Sequence, residues 1–285
     1  MPHVINNAHL KRSLLFCRFA TAAYEKTDPR NTPGLGTGQL TCDTRLPLGH
    51  VDNPTDTQAL VCLWNNDIVV AFRGTERNFR DWRTDAKGFL VPLHTGSGEV
   101  HSGFLDAIDF MYPHIMKSVS QLARGSNCRI FVTGHSLGGA LAMLFASRFV
   151  NDAHHDNVSL AEVFTYGSPR VGDPDFVAAY RRSAAGNCTF QWVDKEDPVT
   201  RVAPFSLNYR HTIQRQLYVD ADGWVRHTDI DATVASGKDE GNLFDSVLGL
   251  IQRLKIVAGL DGTSHSLEQS YLPQILRATS KSAGH

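Results

Sequence analysis

The sequence predicts an α/β fold with a mostly parallel central sheet covered by helices on both faces. Across the middle of the chain, short apolar runs rich in β-branched residues alternate with segments whose apolar residues recur at helical spacing. This alternation favours parallel strands joined by crossover helices. The chain has 285 residues, enough to bury a large core, and we expect residues 1–285 to form a single domain.

The first predicted elements are a helix and a hairpin. The stretch 8–24 has apolar residues along one stripe, which predicts an amphipathic helix closing one side of the core. The stretch 27–53 is rich in Gly, Pro, Thr and Asp and is typical of irregular surface chain. Two apolar runs, 59–64 and 68–72, flank an Asn-Asn-Asp turn at 65–67 and predict a β-hairpin.

The rest of the chain continues the alternation of strands and helices. In order, the pattern predicts a helix over 103–124, a strand over 128–133, a helix over 137–150, a strand over 162–166, a helix over 175–184, a strand over 188–193, a hairpin of 216–219 with 224–225, and an amphipathic helix over 242–257. No internal repeat or linker interrupts this order, which supports the single domain.

The most informative motif is Gly134-His135-Ser136-Leu137-Gly138, between a predicted strand and a predicted helix. It matches the G-x-S-x-G nucleophile elbow, which exposes a serine hydroxyl above the sheet edge. Both glycines have a steric reason, because a Cβ would clash where a strand reverses directly into a helix. The helix that follows aims its N-terminal N–H groups and its positive dipole end at the same point. We therefore expect Ser136 to be a nucleophile.

A serine hydroxyl needs a histidine to accept its proton and a carboxylate to orient that histidine. In enzymes with this elbow, the acid and then the histidine follow the serine along the chain. The acidic loop after strand 188–193 favours Asp197, because the proline that follows stiffens the turn, with Asp194 as the alternative. His265 lies in a turn between two helical segments, the kind of loop from which a base is presented. His211 is its rival.

The tetrahedral intermediate of such a reaction needs N–H donors directed at its negative oxygen. The first expected donor is the backbone N–H of Leu137, the residue after the nucleophile. The second is Thr75, at the end of the second hairpin strand, which offers both its N–H and its hydroxyl. These two residues are the predicted oxyanion hole.

Seven motifs follow one another between about residues 60 and 270: IVVAFRGT at 68–75, DWxxD at 81–85, VHSGF at 100–104, VTGHSLGG at 132–139, YGSPRVGD at 166–173, DPVxRVAP at 197–204 and HSLEQ at 265–269. Together they resemble the fungal-type lipases of the lipase class 3 family. The resemblance implies an α/β-hydrolase fold that cleaves carboxylic esters, commonly of triacylglycerols. It also implies a catalytic triad and an oxyanion hole, formed by Ser136, Asp197 and His265 and by Thr75 and Leu137.

The family's lid, a short helix over the site, is expected at about residues 78–88. Five of these eleven residues are charged, and only Phe79, Trp82 and Ala86 share an apolar face. We therefore expect weak dependence on a lipid interface, with at most transient contact through the lid, and good activity on soluble short-chain esters. A phospholipase or a feruloyl-esterase-like hydrolase is the alternative, and a non-catalytic interaction protein on this fold is a third reading.

Composition excludes several other classes of protein. Lys and Arg number 28 against 29 Asp and Glu, which gives no electrostatic case for binding nucleic acid. The five cysteines are widely spread and form no C-x-x-C pair, so we expect neither a metal site nor a dense disulfide framework, and no cofactor. The apolar run at 14–17 is too short for a signal peptide or a membrane span, which favours a cytoplasmic or mature form.

Overall fold

The structure is a computed structural model. It describes residues 5–24, 32–33, 35, 40–46, 58–74, 89–124, 126–152, 157–201, 203, 207–213, 216–236 and 263–283. The strands are β1 (Leu40–Leu46), β2 (Ala59–Trp64), β3 (Asp67–Phe72), β4 (Leu90–Pro92), β5 (Glu99–His101), β6 (Cys128–His135), β7 (Val158–Tyr166), β8 (Thr189–Trp192), β9 (Gln216–Val219) and β10 (Val225–Thr228). The helices are α1 (Asn7–Ala22), α2 (Ser102–Ala123), α3 (Leu137–Asn151), α4 (Pro174–Arg182), α5 (Ala184–Asn187), α6 (Ile230–Ala235) and α7 (Leu272–Ala283).

The main sheet has eight strands in the order β1-β2-β3-β6-β7-β8-β9-β10. Its centre, from β3 to β9, is parallel. Antiparallel pairs extend it at both edges, β1 with β2 and β3 on one side and β9 with β10 on the other. The predicted α/β class with a mostly parallel sheet is therefore confirmed.

Both faces of the central sheet are buried. Val70 packs with α2 and α3 on one face, whereas its neighbours Val69 and Ala71 pack with α1 and α7 on the other. All three side chains are fully buried. Successive residues of a strand point to opposite faces, so a strand covered on both sides has to be apolar throughout. The predicted role of the first helix, closing one side of the core, is confirmed.

The predicted hairpin at 59–72 is also confirmed. Asn65 and Asn66 both have positive φ, 49° and 69°. Two successive residues of this kind make a turn whose twist matches the two strands it joins, and asparagine tolerates the left-handed region better than most residues. Asp67 is already part of β3 and faces Trp64 across the turn.

Several predicted boundaries were wrong. The stretch 27–53 was expected to be irregular, but 40–46 forms β1, because pairing with the edge of β2 overrides a weak local preference. The helix expected over 175–184 is two helices, because Ser183 is extended and its hydroxyl accepts a hydrogen bond from the N–H of Gly186. Helix α6 and the two-stranded sheet of β4 and β5 were not predicted.

Two predicted segments, the lid at 78–88 and the helix at 242–257, lie outside the described residues, as does Thr75. Among the helices in the described part of the chain, none has both the length and the apolarity that crossing a bilayer requires.

Candidate active site

Ser136 is the one residue between strand β6 and helix α3. Its φ is 58° and its ψ is −129°, a strained conformation for a residue with a side chain, of the kind that occurs at functional sites. A Cβ on Gly134 would overlap the carbonyl oxygen of Gly138, and a Cβ on Gly138 would overlap the carbonyl oxygen of Phe72. The steric reason expected for both glycines is thus present in the structure.

Backbone hydrogen bonds fix the turn around Ser136. Its N–H donates to the carbonyl of Tyr166 at 2.9 Å, and its carbonyl accepts from the N–H of Gly139 at 2.9 Å. Ser136 itself is only 3% exposed. Leu137 is the first residue of α3, so its N–H has no acceptor within the helix and is available to a ligand beside the serine.

The chain directly after strand β3 also reaches this turn. A Cβ added to Gly74 would lie 3.0 Å from the Cβ of Ser136. Thr75, the second predicted oxyanion donor, directly follows Gly74 but lies outside the described residues. Its predicted role remains a prediction, and the residue observed beside the serine is Gly74.

Asp197 and His265 are 68 residues apart in sequence and form a hydrogen-bonded pair. Oδ2 of Asp197 lies 2.8 Å from Nδ1 of His265, and the aspartate is fully buried while the histidine side chain is 23% exposed. The second carboxylate oxygen accepts the N–H of Val199 at 2.8 Å. An ionised carboxylate only accepts, so Nδ1 carries the proton and Nε2 has a free lone pair, as a general base requires.

Tyr271 holds the carboxylate from a third side. Its hydroxyl donates to Oδ2 of Asp197 at 2.6 Å and accepts the N–H of Asp194 at 3.1 Å. Burial and the negative charge of Asp197 raise the pKa of Tyr271 well above its usual value, so the phenol stays neutral and keeps its proton to donate. No sequence pattern indicated this contact.

His135 connects the histidine loop to the elbow. Its Nε2 lies 2.6 Å from the carbonyl oxygen of His265, and its Nδ1 lies 2.8 Å from the hydroxyl of Tyr24. A carbonyl oxygen only accepts, so Nε2 carries the proton and Nδ1 accepts from the tyrosine. Burial is the main cause that lowers the pKa of His135 well below its usual value, and the neighbouring His265 adds to it, so the ring of His135 stays neutral.

This contact places His265 against the residue that precedes Ser136. The ring centroids of His135 and His265 are 4.5 Å apart, and His135 directly precedes the serine. Within the described residues, no hydrogen bond joins the Ser136 hydroxyl to the ring of His265, which is common before substrate binds. Of the three predicted residues, Asp197 and His265 are therefore in contact, and His265 lies against the residue that precedes Ser136; their catalytic roles stay a prediction.

The rival acid has a different set of contacts. Asp194 accepts hydrogen bonds from the Ser270 hydroxyl at 2.5 Å and from the Gln274 amide at 2.8 Å. Its other carboxylate oxygen accepts the N–H of Glu196 at 3.0 Å. The contacts with Ser270 and Gln274 connect the acidic loop to the helical segment that follows His265. Among the described residues, no histidine binds the carboxylate of Asp194.

The rival base is a core residue. His211 is fully buried, its Nδ1 lies 3.0 Å from the Gln191 amide, and its Nε2 lies 2.7 Å from the carbonyl oxygen of Thr200. Burial lowers the pKa of His211 to about 4. Both ring nitrogens have partners, so His211 has none left for a serine proton.

Comparison with known proteins agrees with this geometry. The sequence profile of the lipase (class 3) family matches residues 69–207. A secreted mono- and diacylglycerol lipase 1 of Fusarium solani is 37% identical over 150 residues, which is 51% of this chain and 42% of the relative. A chloroplastic phospholipase A1-Igamma1 of Arabidopsis thaliana is 33% identical over 193 residues, 57% of this chain and 37% of the relative. The chain therefore spans less than half the length of these curated relatives.

Among solved structures, the mono- and diacylglycerol lipase from Aspergillus oryzae superposes with a TM-score of 0.66 at 25% identity. The superposition covers 78% of this chain and 86% of that one. The fold similarity therefore extends well beyond the segment matched by the family profile, and the expected α/β-hydrolase fold is confirmed.

Proposed function

Because residues 69–207 belong to the lipase (class 3) family, we propose that the protein is a serine hydrolase of carboxylic esters. Its substrates are acylglycerols or other esters of short to medium acyl chains. The observation that carries the proposal is the buried carboxylate of Asp197 bound to Nδ1 of His265 at 2.8 Å, beside the strained Ser136. Acyl transfer needs a nucleophile, a base that accepts its proton and an acid that orients the base, and these three residues are of the types that can serve as such.

In the proposed reaction, Oγ of Ser136 attacks the ester carbonyl carbon while Nε2 of His265 takes the hydroxyl proton. The carbonyl oxygen becomes an oxyanion, which the N–H of Leu137 and the N–H and hydroxyl of Thr75 stabilise. The C–O bond then breaks, and His265 returns the proton to the departing alcohol. Water repeats the sequence on the acyl-enzyme and releases the acid. Asp197 remains ionised and stabilises the imidazolium.

The names of the relatives suggest two classes of lipid substrate. The Fusarium relative is named a mono- and diacylglycerol lipase, and the Arabidopsis relative a phospholipase A1. We place acylglycerols first, and phospholipids are the second candidate because of the Arabidopsis relative. Initial rates on diacylglycerol and on phosphatidylcholine, presented in identical detergent micelles, separate the two.

The decisive experiment is Ser136→Ala with Ser120→Ala as its control, since Ser120 is an exposed serine on helix α2. Labelling with a fluorophosphonate should reach one probe per molecule in the wild-type and the control and should be absent in Ser136→Ala. Turnover of p-nitrophenyl butyrate should fall by at least about 1,000-fold in Ser136→Ala only. A Ser136→Ala protein that folds and still hydrolyses the ester would end the proposal.

The charged lid segment leads to a separate expectation about interfaces. Five of the residues 78–88 are charged, so opening a lid of this composition exposes little apolar surface. We propose that turnover of a short-chain ester such as tributyrin rises smoothly through its solubility limit. A steep rise at that limit would contradict this part of the proposal while leaving the chemistry intact.

A further inference from the structure

A buried ion pair lies behind the loop that carries Asp197. Nε of Arg170 lies 2.9 Å from Oδ1 of Asp231, with the arginine side chain fully buried and the aspartate side chain 11% exposed. Oδ2 of Asp231 accepts the N–H of His211 at 2.7 Å. Burial by itself would raise the pKa of Asp231, but its interactions with His211 and with the Arg170 guanidinium outweigh burial, and the net shift is downward. The pair is therefore ionic.

This cluster binds the backbone that follows Asp197, at residues 198–201 and 203, which we call the acid loop. Nη1 of Arg170 donates to the carbonyl of Arg201 at 2.9 Å and to the carbonyl of Ala203 at 3.3 Å. His211 adds a third bond, with Nε2 lying 2.7 Å from the carbonyl of Thr200. The guanidinium is planar and its donors have fixed directions, so it holds two carbonyls in a defined relation to the carboxylate of Asp231.

The segment held in this way continues directly from Asp197. The residues 198–201 form one turn of 3₁₀ helix, and the hydroxyl of Thr200 donates to the carbonyl of Asp197 at 2.8 Å. Ala203, whose carbonyl Arg170 binds, has a φ of 59°, an unfavourable conformation for alanine. External contacts have to hold a residue there, and the guanidinium supplies one of them.

A buried ion pair is poorly suited to adding stability, because the cost of desolvating both charges offsets their attraction. An arginine that binds two backbone carbonyls of one loop is well suited to fixing the geometry of that loop. We propose that Arg170, braced by Asp231, is a positioning residue that sets the orientation of Asp197 towards His265. The inference rests on the proposed serine hydrolase function and adds to it a residue that touches none of the reacting atoms.

The test is a double-mutant cycle between Arg170→Lys and Asp197→Asn, measured as kcat and KM on p-nitrophenyl butyrate. A lysine keeps the charge, but its single ammonium nitrogen does not reproduce the planar arrangement in which Nε binds the carboxylate and Nη1 binds both carbonyls. In the wild-type background, Arg170→Lys should lower kcat about 10- to 100-fold and leave KM within about twofold, as a misplaced catalytic group does. In the Asp197→Asn background, where the oriented carboxylate is already lost, it should change the residual kcat less than about twofold.

Arg148→Lys is the matched control. Arg148 also pairs with an aspartate, Asp109, at 2.6 Å, but it lies near the end of helix α3 and away from the acid loop. The control should leave kcat within about twofold of wild-type. A loss of kcat in Arg170→Lys that persists in full on the Asp197→Asn background, or no loss in either background, would overturn the inference.

Asp231→Asn keeps the test informative should Arg170→Lys not fold, because asparagine retains the shape and one acceptor oxygen. Asp231→Asn should lower kcat less than Arg170→Lys does, and only when Asp197 is present. A loss of kcat of the same size in the Asp197→Asn background would overturn the inference. Ser136→Ala is assayed in parallel. An active Ser136→Ala would refute the proposed function, whereas an inactive Ser136→Ala with an unaffected Arg170→Lys would refute only the role of Arg170.

Discussion

Gly167 is the position at which one methyl group tests the aspartate–histidine pair most directly. It follows strand β7 with a φ of 59°. A Cβ there would lie 2.7 Å from Oδ2 of Asp197, 2.9 Å from the hydroxyl of Tyr271 and 3.2 Å from Cε1 of His265. Gly167→Ala therefore pushes on all three partners of the site without removing any of them.

The size of the effect follows from these distances. A carbon atom and an oxygen atom do not approach much closer than the usual van der Waals separation, so Oδ2 of Asp197 has to retreat by at least about 0.5 Å. Catalytic groups tolerate only about that much displacement, and a misplacement of about 1 Å costs on the order of 100-fold in rate. We expect kcat to fall about 10- to 100-fold. The left-handed backbone adds a loss of about 1–2 kcal/mol in the free energy of unfolding.

Gly223→Ala is the control that separates these two effects. Gly223 has a φ of 85°, but its nearest neighbour is Cγ of the flexible Arg277 side chain, at 3.3 Å. Both variants should lose stability in urea titrations, and only Gly167→Ala should lose kcat on p-nitrophenyl butyrate. A folded Gly167→Ala that keeps kcat within about threefold of wild-type would refute the reasoning that turnover depends on this pair.

Three further expectations concern single residues. Tyr271→Phe removes a donor from the buried Asp197, so the free energy of unfolding should fall by about 1–3 kcal/mol and kcat by about tenfold, measured by urea titration and ester turnover. Between pH 6.5 and about 4 the unfolded chain protonates His211 while the folded chain does not. The free energy of unfolding should therefore fall by up to about 3 kcal/mol as the pH is lowered across that window, and His211→Gln should remove this part of the pH dependence. Thr75→Val should cost about 2–4 kcal/mol of transition-state stabilisation in kcat/KM, and an unchanged kcat/KM would exclude Thr75 from the oxyanion hole.

Local patterns predicted those features that depend on local sterics. Gly134 could be assigned to the elbow because the crowding that excludes its side chain arises among neighbours in sequence, Gly138 and Gly139, whereas a Cβ on Gly138 would meet Phe72 on the adjacent strand β3. The hairpin at 59–72 was likewise predictable from two apolar runs and the turn between them. Strand β1 was not, because its partner lies in another part of the chain and its own composition resembles a loop.

The acid and the base show where residue-level reasoning reached its limit. Asp194 and Asp197 lie in the same acidic loop, and the residues alone left both of them open, as they did His211 and His265. The resemblance preferred Asp197 and His265, and the described contacts give the two rivals other partners.

The sequence by itself determined the order of the elements, the elbow around Ser136 and the residue types able to serve as acid and base, since each depends on neighbours along the chain. Only the tertiary structure decided that Tyr24 and Tyr271 support the site and that Arg170 binds the acid loop. Their partners lie 31 to 111 residues away in sequence, and such contacts arise only when packing brings distant segments together. Hydrogen-bond geometry between such segments leaves no periodic trace in the sequence, because each contact needs a single residue at each end.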